Sequence, residues 1–187
     1  RLSRKQLMHL GLQLGADVPV LIFGQSAFAE GIGEQLQAVK LTDFCSILLK
    51  PDIAVPTPRI FSDKGLTRDQ SSIIITDFTG YQMFADGEFN ESVKLFGINN
   101  LEPVACKFED QIGALQKDLI DLKLHARMTG SGSAFFIAFL DKKAACRQSS
   151  YLCGRLLHYQ QAVQSQPKTW VVDGLNIHPL YNWLTEF

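Results

Sequence analysis

The stretch Met128-Thr129-Gly130-Ser131-Gly132-Ser133 constrains the fold of this chain more than any other. Two glycines and three hydroxyl residues in six positions disfavour a regular element, so the backbone has to turn there. Its flanks carry clear periodicities. Before it, Ile112, Leu115, Leu119 and Leu122 recur with the spacing of an amphipathic helix, and Glu109 and Asp110 place negative charge near that helix's start. After it, Ala134 to Leu140 is an apolar run of strand length, and Asp141 predicts the cap of a long helix reaching about Val163. Thr169 to Val172 then reads as a closing strand.

The chain opens on another local signature. Ser3-Arg4-Lys5-Gln6 is a capping box, with Leu2 and Leu7 placed as a hydrophobic staple. A helix follows from about Arg4 to Leu14, with Leu7, Leu10 and Leu14 on one stripe and Gly15 as its stop. Val18 to Phe23 and Ser26 to Ala29 read as two strands of a hairpin around Gly24, and Gly31-Ile32-Gly33 as a flexible turn. A new unit is expected from Ala38, with Phe44 to Leu49 as a mostly apolar strand. Pro51, Pro56 and Pro58 predict an extended segment after it. From Ser62 to Asn100 the pattern is mixed. Strands alternating with helices in this order predict an α+β sandwich, a sheet with helices on one face.

Composition narrows the function classes. Hydrophobic residues make up 46% and charged residues 20% of 187, and thirteen Phe residues give a core large pieces to bury. Eighteen basic and nineteen acidic side chains with no basic run argue against a nucleic-acid partner, which needs a concentrated positive face. No apolar run reaches the roughly 20 residues of a bilayer span. A soluble, cytoplasmic protein with no membrane partner is expected, as a monomer or weak homodimer. Cys45, Cys106, Cys146 and Cys153 show no CxxC pairing and read as reduced thiols. The histidines His9, His125, His158 and His178 are scattered, so no zinc site is predicted.

Three segments can carry chemistry, and each also has a plain structural reading. Gly15-Ala16-Asp17-Val18-Pro19 puts a carboxylate among small residues, able to project into a cleft or to serve only as a local acceptor in a helix-stop turn. Thr129 to Ser133 can expose consecutive N–H groups to phosphate oxygens or merely connect two elements. It is not a P-loop, because no Lys-Ser/Thr follows and a strand comes next. In Val55-Pro56-Thr57-Pro58-Arg59-Ile60-Phe61, two prolines can hold Phe61 as a flat platform for a planar ring, or Phe61 can sit in the core.

Taken in order, these segments resemble the second part of the 4-diphosphocytidyl-2-C-methyl-D-erythritol kinase family of the GHMP superfamily. The stretches that carry the resemblance are Leu14-Gly15-Ala16-Asp17-Val18-Pro19-Val20 with Ala27-Phe28-Ala29-Glu30-Gly31-Ile32-Gly33-Glu34, then Pro56-Thr57-Pro58 with Phe61, Met128-Thr129-Gly130-Ser131-Gly132, and Gly174-Leu175-Asn176 with Pro179-Leu180. The resemblance implies ATP-dependent phosphorylation of the 2-hydroxyl of a cytidine diphosphate methylerythritol, a small-molecule substrate, in non-mevalonate isoprenoid biosynthesis. It implies Asp17 as the catalytic carboxylate and Thr57, Pro58 and Phe61 as the wall holding the cytosine. Thr129, Gly130, Ser131 and Gly132 would lie beside the phosphates, with ATP and Mg2+ as cofactors. The family's early lysine, its tyrosine–histidine pair and its ATP loop have no counterpart here. The chain therefore reads as the later part of a longer protein, inactive alone: residues 1–37 from an N-terminal ATP-binding domain, residues 38–187 a C-terminal ferredoxin-like domain. Two other readings stand beside this one. They are another GHMP kinase, of homoserine or phosphomevalonate type, and a non-catalytic ferredoxin-like ligand-binding domain.

Overall fold

The computed structural model describes residues 2–66, 92, 93, 97–163 and 165–184. They fall into two compact units, one of residues 2–43 with 175–184, the other of the described residues from Phe44 to Gly174. Residues 38–43 and 175–184 group with the first of these units. Most of the mixed stretch expected from Ser62 to Asn100 lies outside the described residues.

The first unit begins with α1 (Arg4–Leu12). Its capping box forms as expected: the Ser3 hydroxyl accepts from the Gln6 N–H, and the Gln6 side chain accepts from the Ser3 N–H at 2.8 Å. The run Val18–Phe23 is a helix, α2, and not the expected strand. Six apolar residues fit either element by pattern; the ends decide. Pro19 lies in the first turn, where its missing N–H has no helical partner to lose, and Gly24 at φ +70° closes the helix, its N–H donating to Val20 O. The two helices meet at Gly11, where a Cβ would come within 2.8 Å of Val18 and Ile22 side-chain atoms. Leu10 and Leu14 of the expected stripe remain exposed.

The hairpin lies one step later than predicted, between β1 (Ala27–Glu30) and β2 (Gln35–Ala38), with Gly31 and Gly33 in its turn. Residues 175–184 dock on this unit through backbone and side chain alike. Ser26 N–H donates to Asn176 O, His178 N–H to Gly24 O, and the Arg4 guanidinium, stacked over the Tyr181 ring, binds Phe23 O and Tyr181 O. Asn176 clamps Leu41 in both directions, accepting from its N–H at 2.7 Å and donating to its carbonyl at 2.8 Å.

In the second unit, β3 (Cys45–Lys50) is the centre of an antiparallel sheet. It pairs with β6 (Phe135–Phe139) on one side and β7 (Lys168–Asp173) on the other. The far edge of β6 takes β5 (Ala126–Met128) opposite residues 135–137 and β4 (Ser92–Val93) opposite residues 138–139. Side chains alternate along a strand, so Cys45, Ile47 and Leu49 share a face with Phe135, Ile137 and Phe139. That face is buried with Val104 of α4 (Leu101–Phe108), with Ile112, Leu115 and Leu119 of α5 (Asp110–Asp121), and with Ala144 and Leu152 of α6 (Lys142–Leu152). Mixed helix and sheet around one core is the observed class.

Two expectations fail here for local reasons. Thr57–Ser62 forms the short helix α3, where the prolines had predicted extended chain: Pro58 falls in the first turn, which tolerates it. The long helix expected after Asp141 is two helices, α6 and α7 (Leu157–Val163), divided where Gly154 turns left-handed at φ +77°. The Asp141 cap itself is present, its carboxylate accepting from the N–H groups of Lys143 and Ala144.

Candidate functional site

The glycine turn leaves β5 at Met128 and enters β6 at Phe135. It is tightly determined. Thr129 N–H donates to Ala134 O and Gly132 N–H to Thr129 O, while Gly130 and Gly132 take φ values of +56° and +95° that side chains other than glycine rarely adopt. Asn99, ahead of α4, donates its amide to both Met128 O and Gly130 O at 2.8 Å. Glu102 adds a carboxylate, one oxygen accepting from Met128 N–H at 2.8 Å and the other from Gln116. Four carbonyls of the turn region, those of Met128, Thr129, Gly130 and Ala134, are thereby engaged. The N–H groups of Gly130 and Ser131 have no partner among the described residues, and Gly130 is exposed.

Thr57, the first residue of α3, reaches this turn: its hydroxyl lies 2.8 Å from that of Ser131. Phe61 stands four residues on, one helical turn from Thr57 and on the same side of α3. Its neighbour Ile60 is fully buried, whereas Phe61 keeps 50% of its surface exposed and Pro58 is exposed too. The structure therefore brings Thr57 and Ser131 together, with the half-exposed Phe61 one helical turn beyond Thr57. Arg59 turns the other way and stacks on Phe108, 4.5 Å from the ring centroid.

Asp17 belongs to the first unit. It precedes α2 in helical conformation, and its carboxylate makes no capping hydrogen bond, remaining exposed with no partner among the described residues. The hairpin turn braces the same junction, because a Cβ on Gly33, at φ +110°, would stand 3.1 Å from Ala16 O. Within that turn the Glu34 carboxylate accepts from Ile32 N–H at 2.7 Å. Backbone N–H groups, its own first and that of Ile32 next, hold its pKa below the usual carboxylate value.

Three residues of the turn's surroundings escaped the sequence reading: Lys50, Asn99 and Glu102. Lys50 ends β3, and its ammonium donates to Ser133 Oγ at 2.8 Å and to Pro51 O and Ile53 O at 3.0 Å. The only sequence signal is a lysine closing an apolar strand, which reads equally as a solvated strand end. Among the described residues no group of three His, Cys, Asp or Glu side chains is placed to hold a metal ion.

The turn carries unpaired N–H donors and hydroxyls, an arrangement that suits the small-molecule kinases to which the chain is similar. No protein-family model matches the chain. The particular relatives are 4-diphosphocytidyl-2-C-methyl-D-erythritol kinases. The Bordetella bronchiseptica protein of that name is 40% identical over 187 residues, covering 98% of this chain and 59% of the relative. The Ralstonia pickettii protein is 40% identical over 185 residues, covering 96% and 55%. A crystal structure of 4-(cytidine 5'-diphospho)-2C-methyl-D-erythritol kinase aligns with a TM-score of 0.63 at 25% identity, over 89% of this chain and 56% of that one. The chain is homologous to these kinases and spans little more than half of their length.

Proposed function

We propose that this chain is part of an ATP-dependent kinase that phosphorylates the 2-hydroxyl of 4-diphosphocytidyl-2-C-methyl-D-erythritol, in non-mevalonate isoprenoid biosynthesis. The observation that carries the reading is identity near 40% along almost the whole chain to proteins of that name. The pairing of Thr57 with Ser131 supports it, because it joins the two segments expected to hold the base and the phosphates.

In this reading Asp17 takes the proton from the attacking hydroxyl as that oxygen bonds the γ-phosphorus and the bond to the β-phosphate oxygen of ATP breaks. Such a base contributes ~10²–10⁴-fold. The segment Thr129, Gly130, Ser131 and Gly132 lies beside the phosphates, where the N–H groups of Gly130 and Ser131 and the Thr129 and Ser131 hydroxyls are the donors for phosphate oxygens and Gly132 shapes the turn. Thr57 and Pro58 line the wall on which Phe61 stacks the cytosine ring. Mg2+ neutralises nucleotide charge when bound; none of the described residues is assigned to it. The substrate is a small molecule, the compartment the cytoplasm and the oligomeric state a monomer or weak homodimer. Among the described residues no helix is long and apolar enough to cross a membrane.

The strand order β7-β3-β6-β5, all antiparallel, with α4 and α5 between β3 and β5 and α6 and α7 between β6 and β7, supports a ferredoxin-like reading of the second unit. The first unit is then the end of an N-terminal ATP-binding GHMP domain. The test is coupled ADP release by the full-length gene product with the cytidine substrate, with homoserine and phosphomevalonate as alternatives. Turnover of an alternative in place of the cytidine substrate would overturn the reading. Asp17→Asn should cut kcat at least ~100-fold with little change in ATP affinity, and near-normal kcat would remove Asp17 from the mechanism.

A further inference from the structure

We infer that Lys50 is the fixed cation of the glycine turn, a positioning residue that makes the turn selective for phosphate or diphosphate oxygens. The inference rests on reading Thr129 to Ser133 as a phosphate site and adds to it a residue that the motif does not contain.

Three observations support it. First, Lys50 is half-buried and all three of its N–H donors are engaged, by Pro51 O, Ile53 O and Ser133 Oγ. Every acceptor is a neutral oxygen. Among the described residues no carboxylate lies within ion-pair distance, and the groups that solvate the charge there are dipoles. Removing an ammonium from water without a counterion is unfavourable, and a nearby anion relieves it.

Second, Lys50 reaches the turn through a buried relay. Ser133 is 1% exposed; its hydroxyl accepts from Lys50 and donates to Ile53 O at 2.7 Å. This fixes the last residue of the turn against the segment that leads into α3. Third, the turn keeps donors to offer. Among the described residues Gly130 and Ser131 N–H have no partner, while Asn99 occupies the carbonyls of Met128 and Gly130. A positive charge held on the last residue of a turn that carries unpaired N–H groups raises affinity for an anion and repels a cation.

Since no donor of Lys50 is left for a ligand, it acts through its field and through the geometry it imposes. These two contributions separate experimentally. The full-length protein is titrated calorimetrically with inorganic pyrophosphate at low and at high salt, as wild type, Lys50→Arg, Lys50→Met and Lys50→Gln, with melting temperatures recorded alongside. Lys50→Gln keeps two N–H donors without the charge and carries the comparison if Lys50→Met does not fold. Removing the charge should weaken pyrophosphate binding about tenfold at low salt, and the gap should narrow at high salt because the lost interaction is electrostatic. Lys50→Arg should restore most of the affinity.

Binding by the Gln or Met variant equal to wild type overturns the inference. So does a loss of equal size at both salt levels, which would mark Lys50 as a structural pin only. A wild type that binds no pyrophosphate overturns the phosphate reading of the turn and the inference together. Failure of the kinase reading shows separately, as absent turnover of the cytidine substrate.

Discussion

The two glycines of the turn should respond very differently to the same substitution. At Gly130, φ is +56° and an added Cβ would meet nothing within 4 Å. Alanine there incurs the left-handed backbone cost of about 1–2 kcal/mol, partly offset by about 0.4–1 kcal/mol from the lower entropy of the unfolded chain. The net loss is about 1 kcal/mol. At Gly132, φ is +95°, outside the left-handed well, and the Cβ would stand 2.8 Å from Met128 Sδ, 3.5 Å from its Cε and 3.7 Å from its Cγ. Met128 is 1% exposed, so its thioether has no open space to move into. Backbone strain of about 1–3 kcal/mol is joined by overpacking of similar size, with methionine's adaptability favouring the lower half. Gly132→Ala should therefore lose about 2–4 kcal/mol, and urea unfolding followed by circular dichroism reads both variants on one scale. In melting temperature this is a fall of about 4–16 °C for Gly132→Ala, against a few degrees for Gly130→Ala. Equal stability of the two variants would refute the packing argument and the turn geometry with it.

Other outcomes follow from buried groups of the second unit. Asp118 lies on α5, is 3% exposed, and accepts from His158 N–H, Tyr159 N–H and the His158 ring, capping α7 from a different helix. Asp118→Ala should lose about 2–4 kcal/mol in urea and speed amide exchange across residues 157–163, since it removes a cap and strands two N–H donors. A loss below about 0.5 kcal/mol would mean that the cap adds nothing. The Tyr159 hydroxyl is buried without a partner among the described residues, so Tyr159→Phe should be neutral or gain about 1 kcal/mol, and a clear loss would reveal a partner bound to it. Burial, assisted by Glu102, pushes the Cys106 thiol up to about 12, and burial also raises Cys45. Iodoacetamide should therefore modify the exposed Cys146 and Cys153 well before either, as peptide mass mapping would show.

How far the fold was legible depended on whether an element's determinants are local. The Ser3–Gln6 box and the Asp141 cap are fixed by side chains three positions or fewer from the groups they bind, and both could be read directly. β6 was legible because Phe135 to Phe139 is too apolar to lie anywhere but in a core. Val18–Phe23 and Thr57–Ser62 are helices that the sequence reading did not expect. The first is expected as a strand from its apolar run and the second as extended chain from its prolines, whereas proline in a first turn starts a helix in both. Gly154 divides α6 from α7 although nothing in its neighbours' polarity marks the division. At the site, Thr57 and the turn were legible as candidates, but their contact was not, and neither were Lys50 or Asn99. Lys50 and Ser133 lie 83 positions apart, Asn99 and Gly130 lie 31 apart, and no periodicity encodes a pairing that the sheet and α4 create.

Which ligand charge the turn can accept follows from which of its backbone groups the fold has already used. A loop that leaves carbonyls unpaired invites a cation; one that leaves N–H groups unpaired invites an anion. Here Gly132 N–H takes Thr129 O, and the single amide of Asn99 takes Met128 O and Gly130 O, so three carbonyls of the turn are consumed internally. Gly130 and Ser131 keep their N–H groups. Exchanging Asn99 for Asp would reverse the assignment, because a carboxylate cannot donate to those two carbonyls and would bring a negative charge beside them. Asn99→Asp should therefore weaken phosphate binding more than Asn99→Ala, which frees the carbonyls without adding charge. The opposite ranking in a pyrophosphate titration would show that the apex donors do not set the ligand's sign.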